Sequence, residues 1–299
     1  MIAGPTASGK SQLAIDLATR MDAEVINADA MQLYADLNIL TARPQPDEMA
    51  GVPHHLYGVI GAAHRASVSQ WLDLAAAAMA EMRGRGKIPI IVGGTGMYLG
   101  AAITGIAPVP DVPTHVHEEC SDLYDNIGGA AFKAQLAVDD PVIAARLADG
   151  DRQRLIRALG VLRASGTPLS TWQAQPHKGA LKGRPLMLAK LLPRETLYAR
   201  IDARFDLMLA SGALDEVRRL AQRKLDPGLP CMKALGVTML QAVLEGSMTQ
   251  EDANNLSKRD SRHYAKRQMT WLRNNYNTKM TINEKLSESL FKKIFSYIR

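Results

Sequence analysis

Apolar residues along this chain fall into two periodicities that alternate. Val25-Ile26-Asn27-Ala28-Asp29 and Lys87-Ile88-Pro89-Ile90-Ile91-Val92 are short apolar runs and read as buried strands. The first ends in an acid, the second in Gly93-Gly94-Thr95-Gly96. Around them the spacing changes to three and four. Leu13, Ala14, Leu17 and Ala18 make one side of a helix, and Trp71 to Arg83 is an alanine-rich helix closed by Gly84 and Gly86. Strands alternating with helices predict an α/β fold, a doubly wound parallel sheet whose ligands sit at the carboxyl ends of the strands.

The texture changes at Pro108-Val109-Pro110-Asp111-Val112-Pro113, where three prolines in six residues mark a linker. From there to about Gly183 the pattern is helical without strand signals. Pro141 to Leu147 and Arg152 to Ala164 are its clearest helices, the second closed by Gly166 and Pro168. Leu186-Met187-Leu188-Ala189 and Leu191-Leu192 return to the sheet. Beyond them Leu197, Ile201, Phe205 and Met208 stripe one helix, and Thr249 caps a long one. The expected organisation is a core in two parts, 1–112 and 185–299, with a hinged helical insertion over 113–184. Residues after Asn277 carry no legible signal, and no repeats or low-complexity tracts are present.

The most informative string opens the chain. Gly4-Pro5-Thr6-Ala7-Ser8-Gly9-Lys10-Ser11 matches the phosphate-loop pattern GxxxxGK[ST] without mismatch, and it precedes the helix that Leu13 and Leu17 define. Its glycines let backbone N–H groups turn onto phosphate oxygens, and the helix dipole adds to their pull. Lys10 supplies a point charge and the Ser11 hydroxyl a ligand for Mg²⁺. The expectation is therefore a P-loop NTPase-like sheet with a helical insertion domain. Only Met1-Ile2-Ala3 precede the loop, so the first strand is either a stub or part of a longer natural chain.

Composition narrows the class. With 299 residues and 46% apolar content the chain can bury a sizeable core. No run approaches the ~18 apolar residues of a membrane span, and the loop at the N-terminus leaves no place for a signal peptide. Two cysteines, Cys120 and Cys231, fit buried apolar roles in a reducing cytosol. The net charge of +6 conceals an asymmetry. Residues 1–150 hold nine Lys/Arg against 17 Asp/Glu, a balance of −8, whereas residues 151–299 hold 27 against 13, a balance of +14. A one-sided excess of that size fits a polyanion partner.

The placement of charge sharpens this. Arg200 and Arg204 share a helix face away from the buried stripe, which suits a phosphate clamp; pairing with Asp202, Asp206 or Glu195 is the alternative. Arg154 and Arg157 lie three apart while Leu155, Leu159 and Leu162 pack inward. In the last long helix Arg259, Arg262, Lys266 and Arg273 form one stripe, with Tyr264 and Trp271 interleaved and Asp260 as the nearby opposite charge. Basic residues interleaved with aromatics suit phosphate tracking and base stacking. Asp29, at a strand end beside the loop, is a candidate general base or Mg²⁺ partner, or else a cap. Thr95 is a candidate hydroxyl donor or a turn residue.

Taken together, the chain resembles the tRNA dimethylallyltransferase, or tRNA isopentenyltransferase, family. The matching strings are Gly4–Ser11, Asn27-Ala28-Asp29-Ala30-Met31-Gln32-Leu33-Tyr34, Thr41-Ala42-Arg43-Pro44, and Val52-Pro53-His54-His55-Leu56. Further along come Val92 to Tyr98, Asp151 to Leu159, Ser211-Gly212, and Lys266-Arg267-Gln268-Met269-Thr270-Trp271-Leu272-Arg273. The resemblance implies transfer of a dimethylallyl group from dimethylallyl diphosphate to N6 of the adenosine 3′ of the anticodon. It implies Asp29 as the base, and Lys10, Thr95, Arg204 and Ser11 with Mg²⁺ around the departing diphosphate. Asp29-Ala30-Met31-Gln32, Thr95, His117, Gln153-Arg154-Leu155-Ile156-Arg157 and Lys233-Ala234-Leu235-Gly236-Val237-Thr238 would touch the tRNA anticodon stem-loop. A cytoplasmic monomer with no membrane contact is the expected context.

The chain departs from the family pattern in three places. Ala30 replaces a serine, Leu235-Gly236-Val237-Thr238 replaces Gly-Tyr-Lys/Arg, and His117 stands where an arginine is usual. A P-loop small-molecule kinase would share Lys10 and Asp29 but has no use for the basic C-terminal half. A non-catalytic RNA-binding module would keep the basic stripe and need no carboxylate.

Overall fold

The computed structural model describes residues 1–298. Strand β1 (Ile2–Ala3) lies in the middle of a six-stranded sheet and runs straight into the phosphate loop and helix α1 (Lys10–Met21). The remaining strands are β2 (Ala23–Asn27), β3 (His54–His55), β4 (Ile88–Gly93), β5 (Leu188–Lys190) and β6 (Met280–Ile282), in the spatial order β3-β2-β4-β1-β5-β6. Every pairing is parallel. Parallel strands are buried on both faces, which is why β2 is inaccessible along its whole length and shows no polar alternation.

Ile2, Val25, Ile90, Val92, Leu188 and Ile282 pack from one face against Leu13 and Leu17 of α1. Each such side chain contributes roughly 1.5–3 kcal/mol on burial. Two-residue β1 is held on both sides, Ile2 opposite Val92 and Leu188, Ala3 opposite Gly93 and Ala189. The connections are helical. Helix α2 (Val68–Gly84) begins three residues before the expected Trp71 because the Ser67 hydroxyl caps it by accepting the Gln70 N–H. Helix α3 (Gly96–Thr104) follows β4 directly.

A separate compact unit spans Thr104–Ala180. It contains helices α4 (Thr114–Asp139, bent at Gly128), α5 (Pro141–Arg146), α6 (Arg152–Ser165) and α7 (Leu169–Gln173). Its core is Cys120, Phe132, Leu136, Ile143, Leu155, Ile156 and Leu159, with linker residues Val109 and Val112 packed against it. Those two valines, and the bridge between Ile106 and Lys178, explain why the unit differs from the expected 113–184. Buried Asp140 ties it together, accepting N–H groups from both Ile143 and Ser170.

The chain then returns through β5 to α8 (Arg194–Ala210), α9 (Ala213–Gln222), α10 (Val237–Leu244) and α11 (Gln250–Asn275). The residues that carried no sequence signal form β6 and α12 (Glu288–Phe295), with Ile282 and Ile294 buried in the sheet core. Both cysteines are free and buried, as their apolar role requires.

Candidate active site

The loop from Gly4 to Ser11 turns tightly between β1 and α1. Gly9 adopts φ 84°, and Ala7, which has no glycine's freedom, is held at φ 62°. Its N–H inventory divides in two. Gly4 donates to Gly93 O at 3.3 Å, Pro5 has no N–H, Thr6 donates to Gln268 Oε1 at 2.8 Å, and Ser8 donates to Pro5 O at 3.2 Å. The N–H groups of Ala7, Gly9, Lys10, Ser11 and Gln12 have no acceptor among the described residues. They form the anion-binding concavity that a helix N-terminus provides.

Cations converge on this concavity. Lys10 is pushed down to about 8 by burial and by Arg204, against the opposing pull of Asp29. Arg204 donates to the Thr6 hydroxyl, and burial lowers its affinity for its proton while Asp29 raises it. Arg200 and buried Lys190 flank Gly9. The Lys190 ammonium donates to Glu284 O at 2.5 Å, and burial, followed by Arg200, lowers its pKa. Arg200 and Arg204 therefore both reach the loop, as their shared helix face predicted. Lys190 was not anticipated: a lysine at the end of an apolar strand gives no sign of what lies beyond the strand.

Asp29 sits two residues past β2. Asn27 fixes its backbone from both sides, Oδ1 accepting the Asp29 N–H at 2.8 Å and Nδ2 donating to Asp29 O at 3.0 Å. Asp29 Oδ1 accepts the Met31 N–H at 3.1 Å, so the carboxylate also caps a short 3₁₀ turn, Met31–Leu33. Its Oδ2 accepts no hydrogen bond from any described residue. Its negative charge raises the phenol pKa values of Tyr57, Tyr98 and Tyr264, whose main cause is burial. The Thr95 hydroxyl accepts the Ala30 N–H at 3.0 Å and lies beside the Tyr264 phenol. A carboxylate with a free oxygen thus acts electrostatically on the two cations that gather at the phosphate loop.

The comparisons with known proteins bear on this arrangement directly. The family model described as IPP transferase matches residues 32–275, and that described as isopentenyl transferase matches residues 1–57. The chain is 51% identical over 274 residues to a tRNA dimethylallyltransferase of Rhodopseudomonas palustris, covering 91% of this chain and 85% of that one. It is 50% identical over 274 residues to that of Rhodospirillum centenum, covering 91% and 87%. The chain belongs to the tRNA dimethylallyltransferase family.

Solved structures agree. A full-length tRNA isopentenylpyrophosphate transferase from Bacillus halodurans superposes with a TM-score of 0.70 at 33% identity, covering 99% of this chain and 94% of the other. A eukaryotic dimethylallyltransferase acting on tRNA gives 0.75 at 32% identity, covering 91% and 68%.

Within this dimethylallyltransferase fold the expected nucleic-acid residues separate by burial. Gln153, Arg154 and Arg157 are exposed on α6, Arg154 paired with Asp151 and Arg157 donating to Pro110 O. Leu155 and Ile156 belong to the helical unit's core, so their side chains cannot meet RNA. Lys233 and Thr238 are exposed and Leu235 half-buried, but Ala234, Gly236 and Val237 are buried beneath them. His117 is exposed on α4. Gln32 is turned inward, its amide donating to the Thr41 and Ala42 carbonyls.

The basic stripe on α11 is also corrected. Arg262 pairs with Asp202 at 2.6 Å and Lys258 with Asp206 at 2.6 Å, both acids from α8, and Arg259 pairs with adjacent Asp260. Asp202 and Asp206 thus join α8 to α11 and do not compete for Arg200 or Arg204. His263, Lys266, Arg267, Thr270 and Trp271 line a shallow groove on the same helix, with Arg267 stacked over Tyr264. Helix α11 lies close on the β4–α3 turn: a side chain at Gly94 would meet Gln268, and one at Gly96 would meet Trp271. Those glycines are required by this close approach.

Proposed function

We propose that this chain transfers a dimethylallyl group from dimethylallyl diphosphate to N6 of the adenosine 3′ of the anticodon in tRNA. The observation that carries the reading is Asp29, whose Oδ2 accepts no hydrogen bond from a described residue and whose charge acts on Lys10 and Arg204, the cations of the phosphate loop. A kinase reading leaves the groove of Lys266, Arg267 and Trp271 without a task.

The chemistry follows from the groups present. The diphosphate oxygens accept the N–H groups of Ala7, Gly9, Lys10 and Ser11. As the allylic C–O bond breaks, negative charge grows on the diphosphate, where Lys10 and Arg204 already lie. Donors fixed in advance at the site of developing charge lower a barrier without reorganisation. The N6 lone pair forms the new C–N bond, and Asp29 Oδ2 takes the N6 proton. The Thr95 hydroxyl holds the Ala30 turn and so keeps that carboxylate aimed.

No cluster of three acidic, histidine or cysteine side chains that could hold a metal occurs among the described residues. This donor set fits Mg²⁺ shared with phosphates, which asks few ligands of the protein. The Ser11 hydroxyl and the diphosphate oxygens would hold the ion, whose chemistry is neutralisation of leaving-group charge.

An adenine inside stacked RNA has to be extruded before N6 reaches an allylic carbon, which calls for a large basic surface. The exposed Lys266, Arg267 and Arg273 of α11 and Lys233 supply it. Incubation with dimethylallyl diphosphate and an anticodon stem-loop, followed by mass spectrometry of the nucleosides, should give N6-dimethylallyladenosine. Stoichiometric ADP from ATP with no prenylated nucleoside would overturn the proposal.

A further inference from the structure

One buried side chain reaches the phosphate loop from the far end of the sequence and has no role in the chemistry above. Gln268, on α11, is 5% exposed. Its Oε1 accepts the Thr6 N–H at 2.8 Å and its Nε2 donates to Gly94 O at 2.9 Å. Thr6 is held a second time through its hydroxyl by Arg204. Gly94 leaves room for the amide, since a Cβ there would lie 2.2 Å from Nε2.

The consequence is a boundary in the loop. Before Ala7 no N–H is open: Gly4 is bonded to β4, Pro5 has none, and Thr6 is bonded to Gln268. Open N–H groups begin at Ala7 and resume from Gly9 into the first turn of α1. An anion is therefore seated against the helix end of the loop, and a longer phosphate chain extending toward Thr6 finds no free donor there.

We infer that Gln268 is a positioning residue that sets the length of the phosphate seat, closing the loop at Thr6 so that it fits two phosphoryl groups in preference to three. This rests on the reading of the loop as a diphosphate site. It also gives the glutamine a role that a merely structural brace would lack, because it acts on the ratio of two ligands.

Inorganic pyrophosphate and inorganic tripolyphosphate are the probes, titrated calorimetrically in one Mg²⁺ buffer against the full chain. Gln268→Met removes acceptor and donor at nearly constant volume and frees the Thr6 N–H; Gln268→Ala is the second variant of this kind. Relative to wild type, both should move the Kd ratio toward tripolyphosphate by about tenfold, the worth of one hydrogen bond to a charged group. Gln268→Glu keeps an oxygen on the Thr6 N–H and adds negative charge. It should weaken both probes and leave the ratio unmoved or shifted against tripolyphosphate. A ratio unchanged in Gln268→Met and Gln268→Ala, with both probes still bound, overturns the inference alone. Wild-type chain that binds neither probe overturns the diphosphate reading and the inference with it.

Discussion

Thr95 Oγ1 accepts the backbone N–H of Ala30 at 3.0 Å, and this bond ties the turn after β4 to the turn that carries Asp29. The two turns leave adjacent parallel strands, β2 and β4, at the same edge of the sheet. The bond thereby fixes the proposed base against the strand that borders the phosphate loop.

Thr95→Val keeps the shape of the side chain and removes the hydroxyl. Expected is a fall in kcat of about fivefold, since one hydrogen bond contributes on the order of 1 kcal/mol. Thr95→Ser should recover most of it. Steady-state kinetics with dimethylallyl diphosphate measure both; an active Thr95→Val would show that the Asp29 turn needs no such tie.

Asp29→Asn keeps the 3₁₀ cap and removes the base. Prenyl transfer should fall by about 10²–10⁴, the range for a positioned proton acceptor. Stem-loop affinity should stay within a few fold. Filter binding beside a single-turnover assay separates the two, and undiminished transfer would end the assignment.

Lys10 supplies a pH dependence with a definite sign. Its ammonium is held near pH 8 rather than 10.5 by burial. Diphosphate binding draws on the protonated form, so affinity is full below about pH 8 and weakens as pH rises through that value. Inhibition by pyrophosphate, followed from pH 6.5 to about 9.5, should show the loss. Lys10→Arg, which stays charged throughout, should abolish this dependence.

RNA binding should weaken steeply with salt, because each neutralised phosphate contributes about 0.9 or 0.7 to the logarithmic slope for duplex or single strand. Lys266→Ala and Arg267→Ala should each reduce that slope by about one. Arg262→Ala should leave it nearly unchanged, because Arg262 is engaged with Asp202. Fluorescence anisotropy of a labelled stem-loop across salt concentrations tests all three.

Glu216 is predicted to be structural. It is buried and accepts the N–H groups of Asn38, Ile39 and Leu40 at 2.6, 2.9 and 2.9 Å. Glu216→Ala leaves three donors without partners and should cost about 3 kcal/mol or more. A lowered urea midpoint is the readout.

What the sequence shows of the site depends on how far apart its parts lie along the chain. The phosphate loop was legible because its donors and its helix are contiguous from Gly4 to Leu17. Asp29 and Thr95 were legible because strand ends in a parallel sheet share one edge. Gln268 falls on the stripe of Ala265 and Leu272, a sign that it turns inward, but it lies 262 residues from the Thr6 N–H that it bonds, and no local spacing names that partner. Glu216 in an amphipathic helix reads as solvent-facing until the backbone it caps, 176 to 178 residues away, is in place. Leu155 packs inward by its spacing and Ile156 beside it is buried too, although the resemblance implies contact with tRNA for the whole motif; a motif does not state which of its residues face outward.

The order of residues by itself determined the alternation of strands and helices, the phosphate loop and the concentration of positive charge in the second half. Each of those follows from neighbours within a few turns of chain. Only the tertiary structure decided which charges remain available, because pairing depends on distance in space. Helix α8 takes Lys258 and Arg262 of α11 into ion pairs and gives its own Arg200 and Arg204 to the loop, a division that no local spacing encodes.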